Sequence, residues 1–166
     1  MALPVTRTVY LDPGFLCLPQ QPTRLCTVVA SGVAVTIFDR DLCVGGVGHY
    51  SHPKRLGHAS TAEYAAPALV GLVSMFRNAG SDPRSLETYL YGGADNPDAP
   101  GFDCGRGMRN WQAGLEILAK LGVRVTGSDL GGRFARKLIF YTGTGENVLA
   151  KVNDLDDQHW YPRPSF

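Results

Sequence analysis

The strongest constraint on this chain is one apolar, β-branched run, Cys26-Thr27-Val28-Val29-Ala30-Ser31-Gly32-Val33-Ala34-Val35-Thr36-Ile37-Phe38. Such residues favour a pleated, buried surface, so the run predicts strand, broken or turned near Ser31-Gly32, then buried strand again. A glycine-rich strand, Val44 to His49, follows. Its glycines point to close backbone approach rather than side-chain packing.

Helices are spelled out further along. Ser60-Thr61-Ala62-Glu63 fits a capping box, which predicts a helix from Ser60 with Ala65, Leu69, Leu72, Val73 and Phe76 on one face. Pro67 would sit in its interior and bend it, and Arg77 and Gly80 supply the ending. A strand, Leu86 to Tyr91, runs into Gly92-Gly93, and a polar, proline-bearing loop follows. The second helix is expected over Met108 to Leu121, with Trp111, Leu115, Leu118 and Leu121 on one side and Gly122 ending it. Val123 to Thr126 reads as a short strand. Lys137 to Tyr141 and Asn147 to Val152 read as a hairpin joined by Thr142 to Glu146. Two helices interleaved with six or more strands predict a layered α/β sandwich of mixed strands. The 166 residues, 44% of them hydrophobic, suffice for one core, so a single domain is expected, with 153–166 as a tail.

Charge and composition narrow the function classes. A net charge of +1 offers no basic field for nucleic acid. No apolar run reaches the ~20 residues of a membrane span, and the first residues lack a signal-peptide pattern, so a cytoplasmic protein is expected. Cys17, Cys26, Cys43 and Cys104 form no CxxC and match no zinc spacing. His49, His52 and His58 with Cys43 fit no standard metal motif either, so neither metal nor cofactor is expected. Gly131-Gly132 with Arg133 and Arg136 could form a phosphate nest, though a glycine turn between strands explains the same residues. Gly143-x-Gly145 is a hairpin turn, since no helix follows it. Trp160, Tyr161 and Phe166 in the tail could anchor a partner or belong to a loose terminus.

The order of short motifs resembles the chemoreceptor glutamine deamidase (CheD) family. Ala30-Ser31-Gly32-Val33-Ala34-Val35 stands where that family has Gly-Ser-Cys-Val-Ala-Val. Asp39, Gly45-Gly46-Val47-Gly48 and His49 follow in the family's order, with 17 residues from Gly32 to His49. Downstream, Tyr64-Ala65 opens the first helix where the family has Tyr-Ala-Asp, with Ala66 replacing the Asp. Gly92-Gly93-Ala94, Gly107-Met108-Arg109-Asn110 and Asp129-Leu130-Gly131-Gly132 with Arg136 complete the match, which covers residues 7–152. The resemblance implies a fold similar to the deamidating bacterial toxins. It implies hydrolysis of glutamine carboxamides on chemoreceptor helices, with those receptors and, in many systems, a CheC-like phosphatase as partners.

That chemistry needs a thiolate made by a neighbouring imidazole, which later protonates departing ammonia, and a third group to orient the ring. By the resemblance His49 is the base and Cys26 stands where the family often has a threonine as third member. The nucleophile position is Gly32, which has no side chain. The expectation is a binding protein with catalysis lost or severely reduced, using the pocket around Ser31 with Gly92, Gly93, Gly131 and Gly132. The alternative is an active deamidase in which Cys26 serves as a relocated nucleophile beside His49.

Overall fold

The computed structural model describes residues 4, 7–54, 57 and 60–153. Its organising element is β4 (Val33–Asp39), all seven residues of which are buried. Val33, Val35 and Ile37 pack with the helices, while Ala34 and Phe38 belong to clusters on the opposite face. A strand apolar on both faces requires a layer on each side.

β4 lies at the centre of a five-stranded sheet ordered β2-β5-β4-β6-β7, with β2 at Leu16–Cys17, β5 at Val44–Tyr50, β6 at Glu87–Gly92 and β7 at Gly127–Leu130. It runs antiparallel to β5 and β6, and β6 is parallel to β7. Helices α1 (Ala65–Asn78) and α2 (Arg106–Lys120) cover one face, burying Leu69, Leu72, Val73, Phe76 and Leu118. The other face packs on a four-stranded sheet ordered β1-β3-β8-β9: β1 at Arg7–Tyr10, β3 at Thr23–Val29, β8 at Ala135–Tyr141 and β9 at Glu146–Val152. Leu25, Val29, Leu138 and Phe140 meet Ala34, Phe38, Val47 and Tyr91 between the sheets. The layers are therefore helices, sheet and sheet: the mixed α/β sandwich with two main helices that the sequence predicts.

Two local expectations change. Helix α1 starts at Ala65, not Ser60, and its N-cap Tyr64 makes no side-chain cap bond. The backbone before it is already engaged: Ser51 and His52 donate their N–H groups to the Glu63 carbonyl at 2.9 and 3.0 Å. Pro67 thereby falls in the first turn, where its missing N–H has no intrahelical partner to lose. Val123 to Thr126 is not a strand; β7 begins at Gly127, with Thr126 N–H donating to the Thr88 carbonyl at 2.7 Å.

β3 and β4 are consecutive in sequence but lie in different sheets. Ala30-Ser31-Gly32 is thus the crossing from one layer to the other, rather than a hairpin within one sheet. It crosses beside the end of β5, where Ala34 pairs with His49 and Val33 with Tyr50.

Candidate active site

Strand register brings the base to the crossing. Paired residues on antiparallel strands share a face, so His49, opposite Ala34, points into the gap between the sheets. From the facing sheet, Thr27 lies between the inward residues Leu25 and Val29 and points into the same gap. The Thr27 hydroxyl is 2.9 Å from His49 Nδ1 and 2.7 Å from the Leu11 carbonyl oxygen. A carbonyl only accepts, so the single Thr27 proton goes to Leu11. The hydroxyl must then accept from Nδ1–H, which leaves Nε2 as the unprotonated, basic nitrogen. Burial holds the ring neutral, pushing its pKa down to about 4.

That basic nitrogen faces position 32. A β-carbon built on Gly32 would lie 3.1 Å from His49 Nε2, so this is the residue whose side chain would meet the base. The same β-carbon would lie 2.6 Å from the Tyr50 carbonyl oxygen, closer than side chains approach a backbone oxygen. Position 32 therefore presents no side chain to the imidazole, and the Tyr50 carbonyl stands in the volume that a β-carbon there would need.

The glycine and asparagine motifs hold the crossing in place. Asn110 Nδ2 donates to the carbonyls of Ser31 at 2.8 Å and Ser51 at 2.9 Å, tying the two strands that carry the site to helix α2. The Gly93 and Ala94 N–H groups donate to the Gly32 and Ala30 carbonyls at 2.7 and 2.9 Å. Gly92 adopts φ +124°, and a β-carbon there would lie 2.3 Å from the Gly32 oxygen, so only glycine fits. Gly131 N–H donates to the Gly92 carbonyl and Asp95 N–H to the Gly132 carbonyl, each at 2.9 Å. Arg136, 2% exposed, fixes that loop through the carbonyls of Gly131 and Phe134 and the Asp129 carboxylate. The polar backbone of Gly92, Gly93, Gly131 and Gly132 is thus engaged within the fold, as a glycine turn rather than an open nest.

The third-member assignment needs correction. Thr27, not Cys26, hydrogen-bonds the imidazole. One residue along a strand reverses the face, and Cys26 sits opposite Ile139 on the outer side of the four-stranded sheet. Burial also pushes its thiol pKa up, away from the thiolate. Cys26 is a strand thiol turned away from His49, which removes the relocated-nucleophile geometry. The orienting residue lies five positions before Gly32 instead of six, so the crossing turn is one residue shorter than the resemblance leads one to expect. Sequence reasoning missed Thr27 and the clamp made by Asn110. Strand parity was the available signal for the first, since Thr27 shares its face with Leu25 and Val29. The histidines do not gather: Cys43 immediately precedes β5 and His49 is near its far end, about 20 Å along the strand. His52 lies beside Tyr64, with ring centroids 5.6 Å apart and the planes tilted by 38°. His58 and the aromatic tail lie outside the described residues. Among those residues no helix is long and apolar enough to cross a membrane.

Known proteins resemble this chain in sequence. The family described as CheD chemotactic sensory transduction matches residues 51–151. That span takes in Asn110, Arg136 and the paired glycines, and begins just after His49. A protein of Geobacter sulfurreducens named as a probable chemoreceptor glutamine deamidase, CheD 2, is 35% identical over 145 residues, covering 87% of this chain and 90% of the relative. One of Anaeromyxobacter dehalogenans with the same description, CheD 1, is 33% identical over 82% of this chain and 80% of its own length. A third, from Trichlorobacter lovleyi, is 30% identical over 87% and 91%. With the layered fold, the ordered motifs and the crossing beside His49, these matches show that the chain belongs to the CheD family of chemoreceptor glutamine deamidases.

Proposed function

We propose that this chain binds glutamine-bearing cytoplasmic helices of chemoreceptors, with deamidation lost or severely reduced. One observation carries the reading: the atom facing the basic Nε2 of His49 belongs to a glycine whose β-carbon position is taken up by the Tyr50 carbonyl. Without a covalent nucleophile, only binding and electrostatic stabilisation remain, and the rate falls by several orders of magnitude. Docking does not need the thiol. The clamp through Asn110 and the paired glycines keeps the surface around Ser31 in shape. A CheC-like phosphatase is the alternative partner, whose docking likewise needs no thiol, and either partner would meet the protein in the cytoplasm. Nothing favours catalysis by Cys26, which faces away from the base.

The test pairs two readouts on one sample, an intact receptor cytoplasmic fragment incubated with the purified chain. Calorimetry should report binding, and peptide mass spectrometry should find the receptor glutamines unchanged. Glutamines converted to glutamates by this chain would overturn the loss of catalysis. Absence of binding would overturn the docking role.

A further inference from the structure

Two cavities open on either side of the seam where Asn110 ties Ser31 to Ser51. The first, of about 610 Å³, contains Ser31 in its wall. The second, of about 580 Å³, begins at His52, one residue beyond Ser51. Asp103, in the loop that enters α2, lines both, so the two adjoin at that loop and together make a groove. Ala30 and Ser31 bring the crossing to the wall of the first cavity, with Gly32 buried beneath it.

The two halves differ in charge. Asp95, Asp98 and Asp103 face the first cavity against one cation, Arg133, which is paired with Asp98. Lys54, Arg106 and Arg109 face the second against Asp103 and Glu116. Both guanidiniums lean on the one Asp103 carboxylate, at 3.2 Å each, so it cannot balance both. Helix stability does not explain these cations. Arg106 and Arg109 occupy the first turn of α2, which holds no acidic residue, and cations there oppose the helix dipole. The exposed ring of Phe102 stands on the rim of the acidic half and offers an apolar contact beside it.

We propose that this groove reads charge along its partner. The partner is a chemoreceptor helix whose glutamine lies over the crossing at Ser31. It carries carboxylates on the side that falls over Lys54, Arg106 and Arg109, and ammonium or guanidinium groups on the side over Asp95 and Asp98. This rests on the receptor-binding reading above and adds to it an orientation: the helix docks in one direction because the reverse places like charges together.

The test uses the full chain and three synthetic helical peptides, each with a central glutamine on its exposed face. One carries glutamates on the N-terminal side of that glutamine and lysines on the C-terminal side, one carries the reverse, and one has serine at all those positions. Fluorescence anisotropy at low salt should show one charged peptide binding about tenfold tighter than its reverse, with the preference shrinking as salt rises. Lys54→Glu, on an exposed side chain, should reduce the preference severalfold. Equal affinity for the two charged peptides would overturn the charge reading while leaving receptor binding intact. A preference untouched by Lys54→Glu would overturn its assignment to this groove. If none of the peptides nor the intact receptor fragment binds, the binding reading fails and takes this one with it.

Discussion

The two halves of the candidate site are built differently. On the β5 side everything a general base needs is in place: His49 is buried, its Nδ1–H is fixed by Thr27, Thr27 is fixed by the Leu11 carbonyl, and the free Nε2 is aimed at the crossing. On the crossing side position 32 has no side chain, and the Tyr50 carbonyl occupies the space of a β-carbon. The scaffold beneath both halves is intact, since Asn110, Gly92, Gly93 and Arg136 all make the contacts that shape the crossing. Neither the orienting network nor the scaffold needs a side chain at position 32, because each also satisfies buried polar groups that would otherwise destabilise the protein.

The scaffold is where substitutions should matter most. Arg136 is buried and compensates Asp129 while donating to two carbonyls. Arg136→Leu should destabilise the fold by about 3 kcal/mol in urea titration, because it leaves those carbonyls and a carboxylate short of partners. A loss below about 1 kcal/mol would mean the loop is held by something else.

Acid should expose the base half next. His49 has a folded pKa of about 4 against an ordinary 6.5, so the unfolded chain takes up a proton that the folded chain refuses. Its contribution is fully present above pH 6.5 and is lost as pH falls toward 4, amounting to about 3 kcal/mol at most. Proton-detected titration by NMR should find the His49 ring neutral at pH 5.5, protonated at Nδ1 alone. His49→Gln should flatten that part of the stability profile. A ring that titrates near 6.5 would contradict the buried, Thr27-oriented base.

Gly32→Cys probes the closed half. Because its β-carbon meets the Tyr50 carbonyl, the substitution should cost about 1–3 kcal/mol and leave deamidation well below that of a cysteine-bearing relative. The same change combined with one residue inserted in the 30–32 turn should give the more active protein. Full activity from Gly32→Cys alone would show that the crossing reopens freely.

Neighbouring residues on β3 sharpen the comparison at smaller scale. Thr27→Val keeps the shape but strands Nδ1–H, and should cost about 1–2 kcal/mol and blur the tautomer signature. Cys26→Ala should cost about 1 kcal/mol and leave the His49 spectrum unchanged. Reversed effects would restore Cys26 as the third member.

Much of this was legible because periodic burial leaves a clear trace. The double-faced strand Val33 to Phe38, the helical stripe Leu69, Leu72, Val73 and Phe76, and the hairpin of β8 and β9 were all visible as pattern. The family was legible in the order of Gly92-Gly93, Asn110 and Arg136, since each sits where backbone geometry admits few alternatives. Less legible was anything set by pairing across distance. The Ser60 capping box failed because the Glu63 carbonyl is engaged by the end of β5, which no local rule reports. The partner of His49 is not readable by counting back from Gly32, because a slip of one residue sends a strand side chain to the other face.

The most direct test of the central claim is a side-by-side rate measurement. This chain and its Geobacter sulfurreducens relative would be given the same receptor cytoplasmic fragment, and the glutamate formed at each glutamine followed by mass spectrometry. With no side chain facing Nε2, this chain should be slower by at least about a thousandfold while still binding the fragment. Conversion within about tenfold of the relative, after correction for affinity, would show that the site has a nucleophile the closed crossing does not supply.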